Sequence, residues 1–388
     1  MTTLDGAATA APAALRAGPN PTGGGRWSWV PTWTMITTRL MELRRRRGLM
    51  IALIVVNIGL PTLFLVVRLV AHAVAPKSYG PAGGYDIYGG LVAGVMYVFG
   101  FIVAATVGAT AGSSDLTDGM FRHLVVTGRS RLALYLARIP AGLAIIASLV
   151  AAGFTIVCVV CVFAAPTQVN YSGVNLPAGM SRAQFLTWSG DHPTEVLCDF
   201  PGPSPAQLNC GPGSGPVVER PGAPAAPAAQ PSPAALRRLA LSNAEADYTD
   251  YRKQFLYPST TLMVQSGLWI ELEATIGFLV GLGLASLLGQ RTVAVILMIV
   301  LEVILTPLFS RVAIPHLINL QRGVVGLATA HLEPSALPVL FAGGNGGGGP
   351  GGMRQLVPET HLVAALVITA WVVGWTVIGA WRMITRDA

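Results

Sequence analysis

Six blocks of mostly apolar residues, each roughly 20 or more residues long, divide the chain: 49–74, 88–112, 136–164, 262–288, 292–314 and 361–381. A helix needs about 20 apolar residues to cross the hydrocarbon core of a bilayer. In lipid every backbone polar group must be satisfied within the structure, which restricts spanning segments to helices and closed barrels. The expected fold is therefore an all-α polytopic membrane protein with six transmembrane helices. Composition supports this: only 11% of the 388 residues are charged, against about a quarter in soluble domains. That supply is too small for the surface of a water-soluble globule. A seventh block, 316–342, carries His316, Asn319, Gln321, Arg322, His331 and Glu333. These are too many polar groups to face lipid, and a re-entrant or interfacial segment is expected there.

The net charge of +7 raises nucleic acid as a partner, but the positions of the basic residues point to a membrane. With the N-terminus inside, Arg39, Arg44–Arg47, Arg122, Arg129, Arg131, Arg138, Arg291, Arg382 and Arg386 lie in the cytoplasm. The short outer loops then hold only Lys77, Arg322 and Arg354. Cytoplasmic loops are the arginine-rich ones, so both termini are expected inside and no nucleic acid is implied. Arginine and lysine usage, with abundant Ala, Gly and Pro, suits a GC-rich bacterial genome and hence a bacterial plasma membrane.

The domain boundaries follow. Residues 1–26 are expected to form a disordered Ala/Gly/Pro/Thr tail with no cleavable signal, and 27–47 an amphipathic interfacial helix. Spans one to three occupy 48–165, with a cytoplasmic loop at 113–131. An extracellular insertion covers 166–261, and spans four and five cover 262–315. An outer or re-entrant segment ending in a Gly-rich loop covers 316–360, and span six with the cytoplasmic C-terminus covers 361–388. The insertion contains a Pro/Ala/Gly spacer at 199–235 and then helix formers from Pro233 to Leu256, which predict an external helix. Cys198 and Cys210 bracket a Pro- and Gly-rich turn in a compartment that tolerates disulfides, and a bridge between them is expected. If it exists, a thiol-alkylating reagent under non-reducing conditions labels neither cysteine in the folded protein; labelling of both means there is no bridge. Cys158 and Cys161 form C-x-x-C inside span three, where packing is the better account than redox or metal chemistry.

Three groups of residues are candidates for function. In the N-terminal arm, Trp29, Trp33, Ile36, Leu40 and Leu43 make one helical stripe next to Arg44–Arg47, as in a helix lying in the interface. It reads equally as a topogenic anchor or as a contact for a cytosolic partner. In the loop after span two, Ser114 or Asp115 is placed to cap a helix, with Asp118 in its first turn and Gly128 past its end. Leu116, Met120 and Leu124 share one face of that helix. The third group is charge within the membrane. Glu302 lies near the midplane of span five, Glu271 and Glu273 lie in span four, and Asn57 lies in span one. A midplane carboxylate costs at least ~2.5 kcal/mol on insertion scales, so these groups face protein or water. They are candidates for a substrate pathway or for buried hydrogen bonds. The chain has no Walker-type phosphate loop, and Gly343–Gly352 is not followed by Lys-Ser/Thr. Zincin and nucleophile-elbow motifs are also missing. An enzyme is therefore not expected, nor a metal site.

The loop after span two resembles that of permease subunits of type-2 ATP-binding-cassette exporters, at Asp115, Gly119, Leu124, Ser130 and Arg131. It departs from that pattern at Met120, Gly128 and Arg138, and the 166–261 insertion is longer than the family usually has. The resemblance implies a coupling helix that touches a separate ATPase through Asp115, Asp118, Gly119, Arg122, Leu124, Arg129 and Arg131, with an N-terminal elbow helix beside it. It implies two copies of that cytosolic ATPase, which binds the ATP and Mg; this chain would hold no cofactor. A second permease copy or a homologous permease would complete the pore, with membrane lipid around it. The rival readings are a proton-coupled secondary transporter working through Glu302, and a non-transport assembly or sensor protein whose outer loop binds a ligand.

Overall fold

The computed structural model describes residues 29–75, 79, 82–117, 130–165, 168–171, 174–177, 179–199, 208–209, 217–218, 232–255, 258–311, 318–334, 337 and 359–385. Five helices are long and apolar enough to cross a membrane: Arg47–Val74, Ile87–Ser114, Arg131–Phe163, Thr260–Leu288 and His361–Thr385. They coincide with five of the six apolar blocks, and the chain is an all-α multi-pass membrane protein. Strand is confined, among the described residues, to two antiparallel hairpins, β1 (Gln168–Tyr171) with β2 (Val174–Pro177) and β3 (Leu208–Asn209) with β4 (Val217–Val218). The remaining block, 292–314, is helical from Arg291 to Arg311 but in three pieces.

In chain order the first helices are α1 (Trp33–Arg45), α2 (Arg47–Ile54), α3 (Leu60–Val74), α4 (Tyr85–Gly89) and α5 (Tyr97–Thr117). Then come α6 (Arg131–Leu136), α7 (Arg138–Phe163), α8 (Arg182–Asp191), α9 (Pro193–Asp199) and α10 (Pro233–Phe255). The last are α11 (Thr260–Leu288), α12 (Arg291–Ile299), α13 (Thr306–Arg311), α14 (Ile318–Arg322), α15 (Val325–Ala330) and α16 (His361–Thr385). Wide π-helical turns join α2 to α3 (Val55–Gly59), α4 to α5 (Gly90–Met96) and α12 to α13 (Val300–Leu305). Two of the three have a covalent cause. Pro61 and Pro307 lack the N–H that would bond the carbonyl four residues earlier, and a widened turn accommodates the freed group. The carbonyl freed by Pro61 is that of Asn57, and it lies against Gly153 of α7, where any Cβ would collide with it.

α11 is the central helix, buried over most of its length. Its partner α5 comes so close that backbones touch. A Cβ at Gly277 would lie 2.8 Å from Phe101 O, one at Gly281 2.6 Å from Ala105 O, and one at Gly112 2.6 Å from Leu282 O. Gly277 and Gly281 of α11 lie against Phe101 and Ala105 of α5, and Gly108 and Gly112 of α5 lie against Phe278, Leu282 and Ser286 of α11, so each helix brings one small-x-x-x-small pair to the contact. Without a hydrophobic driving force in lipid, such close van der Waals packing is what holds helices together. α16 crosses α11 at Gly283 and Gly379. The outward surfaces of α3 and α16 carry exposed Leu63, Val67, Leu366 and Val377, as a lipid-facing surface requires. α11 ends on Gly289 in the left-handed conformation (φ 73°), whose N–H closes on Ala285 O at 2.8 Å, and α12 begins two residues later. This is the tight hairpin the sequence implies.

At one end of the bundle α8, α9 and α10 form a small aromatic subdomain that rests on α4. Phe185 stacks on Tyr251 with centroids 4.7 Å apart. Tyr251 Oη accepts from Met180 N at 3.1 Å, and the Tyr248 hydroxyl donates to Met180 O at 3.3 Å. Arg182 pairs with Glu245, and Arg237 with Asp191 at 3.5 Å. The external helix expected over 233–256 is α10. At the opposite end α1 packs on α7. Of its expected stripe, Leu43 is buried and Leu40 packs on the core, whereas Trp29 and Trp33 are exposed.

Two expectations are corrected here. Neither Ser114 nor Asp115 caps a new helix, because α5 runs through both to Thr117. Ser113 donates back to Ala109 O at 2.8 Å, which fits a continuing helix. Arg138, counted among the loop arginines, is buried and donates from Nη1 to Gly112 O at 3.1 Å. It ties the start of α7 to α5.

Candidate functional site

The π-helical turns deliver polar residues to the middle of the bundle. Glu302 lies within one of them, and its side chain is turned inward and buried. Another ends directly before Tyr97, which is fully buried and stacks on Trp269 of α11 at 4.7 Å and 11°. The Tyr97 hydroxyl lies 3.4 Å from Glu302 Oε1, 3.3 Å from Gly326 O and 3.1 Å from Thr329 Oγ1. The Thr306 hydroxyl donates to Leu301 O at 3.1 Å and lies 3.4 Å from Glu302 Oε2. Each Glu302 oxygen thus lies 3.4 Å from a hydroxyl group, Tyr97 on one side and Thr306 on the other.

The third wall is α15, whose residues from Val325 to Ala330 are all buried. Backbone outside long helices is tolerated at this depth only when protein groups satisfy it, and several side chains do so. Trp269 Nε1 donates to Thr329 O at 2.9 Å and Trp371 Nε1 to Gly323 O at 2.9 Å. Gln321 Nε2 donates to Phe309 O at 2.6 Å, and His361 Nδ1 meets His331 O at 3.1 Å. The Glu302 carboxylate rests on Gly326. A Cβ there would lie 2.5 Å from Oε2, and 2.8 Å from both Oε1 and Thr306 Oγ1. Gly326→Ala is therefore expected to destabilise the protein by ~1–3 kcal/mol, as overpacking does. A thermal unfolding transition followed by tryptophan fluorescence should drop by several degrees. An unchanged midpoint contradicts this placement of Glu302.

Glu273 joins the same cluster. It is buried on α11, near enough to Thr329, Tyr97 and Glu302 to interact with them electrostatically, while its Oε2 has no hydrogen-bond partner among the described residues. The structure thus brings Glu273 and Glu302 together and adds Tyr97, Trp269, Thr306, Gly326 and Thr329. Glu271, two residues before Glu273, is only half-buried. Asn57 is buried elsewhere, with Nδ2 bonded to Leu53 O at 3.0 Å and its carbonyl on Gly153. Its place is in the contact between the first span and α7.

The second candidate region is the loop between α5 and α6. Asp118, Gly119, Arg122, Leu124 and Arg129 lie outside the described residues, as do Cys210 and the side chains of Asp115 and Cys198. The flanks are described. Ser130 caps α6, its Oγ accepting from Ala133 N at 3.1 Å. Arg131 Nη1 donates to Ile384 O, 3.0 Å away near the end of α16. On the other flank, Gly112 O receives Arg138 and also faces the Ser286 hydroxyl at 3.4 Å. Beside them Arg39 and Glu42 of α1 pair at 2.7 Å and, with Leu43, Ala111, Ser114 and Arg138, line a small crevice.

Sequence reasoning picked out both glutamates but missed the hydroxyl groups around them. Tyr97 inside span two and the Thr306-Pro307 pair after Glu302 were available as signals. No known protein-family profile, no curated protein and no solved structure matches this chain.

Proposed function

We propose that this chain is the membrane-spanning permease subunit of an ATP-driven exporter, coupled to a separate cytosolic ATPase. The observation that carries the reading is how the 118–129 loop is held. Its N-terminal flank continues a buried helix, its C-terminal flank is capped by Ser130 and pinned by Arg131 to α16, and Arg138 and Gly112 clamp the two flanking helices together. A force reaching these flanks passes into α5, α7, α11 and α16 through direct contacts. The family-like residues Ser130 and Arg131 are the ones that make the C-terminal attachment.

In this reading the α1 end of the bundle is cytoplasmic, α1 is the elbow helix, and 291–311 is the sixth span. The α8–α10 subdomain lies outside a bacterial plasma membrane, and 318–334 is a re-entrant segment. Two such chains, identical or homologous, make a twelve-span pore over two ATPase subunits. ATP binding closes those subunits and biases the spans between inward- and outward-facing states. To test it, a photo-crosslinking amino acid is placed at Arg122 and the complex is captured in membranes of the source cell. An adduct with a cassette ATPase supports the proposal; adducts confined to this chain's own helices oppose it.

A further inference from the structure

Four oxygen atoms converge where α15 meets α5 and the π-helical turn Val300–Leu305. The Tyr97 hydroxyl oxygen lies 3.4 Å from Glu302 Oε1, 3.3 Å from Gly326 O and 3.1 Å from Thr329 Oγ1, and Thr329 Oγ1 lies 3.0 Å from Gly326 O. All four residues are buried. Hydroxyl hydrogen bonds span about 2.5–3.0 Å and centre near 2.7–2.8 Å, so these oxygens stand wider apart than hydrogen bonding among them would set. They share two hydrogens, one on Tyr97 and one on Thr329, and a hydrogen serves one acceptor well. The remaining separations bring acceptor oxygens together with no hydrogen between them. A shared cation accounts for both facts. Edges of 3.0–3.4 Å belong to an octahedral oxygen shell with metal–oxygen distances of ~2.1–2.4 Å, between those of magnesium and calcium. We propose that Glu302 Oε1, Tyr97 Oη, Thr329 Oγ1 and Gly326 O bind a sodium ion.

Charge and ligand type select the ion. Among the described residues no basic side chain pairs with Glu302. A buried carboxylate is paired or coordinates a metal ion, because an isolated charge away from water is very costly. The other three ligands are neutral oxygens, so one positive charge balances the group. Carboxylate, carbonyl and hydroxyl oxygens suit a hard cation, and no cluster of three or more His, Cys, Asp or Glu side chains fit for a metal ion occurs among the described residues. Sodium is a hard cation close to calcium in size with half its charge, whereas magnesium is smaller and gives up its water reluctantly. Were Glu273 ionised as well, the site would match calcium instead, and competition between the two ions distinguishes these cases. Carbonyls of interrupted helices at bilayer depth are established ligands for sodium, and α15 supplies one. Gly326 suits the position because a Cβ there would lie 2.5 Å from Glu302 Oε2. On that side Thr306 Oγ1, 3.4 Å from Oε2, steadies the carboxylate. The bound ion fastens α15 to α5 and to the turn that carries Glu302.

The test is equilibrium binding of radiolabelled sodium to the purified full chain in phosphatidylcholine nanodiscs, in choline chloride at constant ionic strength and neutral pH. Saturable binding is expected, displaced by unlabelled sodium chloride and not by further choline chloride. Calcium and magnesium should compete about tenfold more weakly than sodium, or worse. Glu302→Gln should abolish binding and Thr329→Val should weaken it by about tenfold or more, each in protein that elutes like wild type in size-exclusion chromatography. Absence of saturable binding to the wild-type chain overturns the proposal. So does displacement by calcium at a lower concentration than by sodium, or a Glu302→Gln variant that binds sodium like wild type. The wild-type and competition measurements need no substitution, so a variant that fails to fold leaves the proposal exposed to refutation. The chain is measured without any ATPase, so the outcome is independent of the ATPase reading.

Discussion

Gly281→Leu is expected to abolish accumulation of folded protein. The glycine sits where α11 and α5 are in backbone contact, and even a Cβ would approach Ala105 O to 2.6 Å. Real side-chain carbons do not come that close, and the obstacle is backbone, so no rotamer change relieves it. The helices must separate, and that also opens the contacts of Gly277, Gly108 and Gly112. Overpacking usually costs ~1–3 kcal/mol; forcing apart a helix pair that holds the centre of the bundle should exceed ~3 kcal/mol, in the range that unfolds marginal proteins. In size-exclusion chromatography after detergent extraction, the variant should elute as aggregate or be absent. Gly374→Leu on α16, where no atom lies within 4 Å of an added Cβ, should elute like wild type. A monodisperse Gly281→Leu peak contradicts the packing described here.

The second large effect is expected at the 118–129 loop. Reversing both charges, Asp118→Arg with Arg122→Asp, should leave membrane insertion intact and uncouple ATP hydrolysis from transport. The helices on either side of the loop are tied together by Arg138 and capped by Ser130, and neither of those residues is changed in the variant. Charges at an interface set register and orientation between partners, and swapping them replaces attraction with repulsion at two points. Truncating a buried interfacial charge costs 2–5 kcal/mol or more, and reversal of two should lower coupled transport by about 100-fold or more. Transport by the double variant at the wild-type rate places the coupling contact elsewhere, with α1 and its Arg39–Glu42 pair the next candidate.

Much of the fold was legible because its strongest determinant is length of apolar sequence. Five helices match the expected blocks closely, since a span is set by bilayer thickness and by backbone satisfaction, both readable in one dimension. The tight α11–α12 turn was legible for the same reason, as Gly289 and Gln290 interrupt continuous apolar sequence. Less legible were features that depend on which faces meet. The glycine pairs at 108/112 and 277/281 are plain in the chain, but which backbone each one meets is a property of two helices together. Arg138 looked like a loop arginine because hydropathy ignores partners; a carbonyl at the end of α5 gives it a buried place. Glu302 and Glu273 were visible as isolated carboxylates in apolar surroundings. Their convergence on Tyr97 and Thr329 depends on the π-helical turns, which rotate the following residues relative to a regular helix. Pro61 and Pro307 are the sequence cause of two such turns; for the turn at Gly90–Met96 we have no comparable covalent cause.

The claim that energy enters from a separate ATPase is tested most directly by hydrolysis itself. The chain is purified in mild detergent from membranes of the source cell, any co-purifying ATPase is reconstituted with and without it in lipid nanodiscs, and phosphate release is measured. The account predicts that a cassette ATPase co-purifies and that its hydrolysis rate changes several-fold when this chain is present. It also predicts that the Asp118→Arg/Arg122→Asp variant removes the change. Co-purification of no ATPase, or hydrolysis indifferent to the chain, contradicts it.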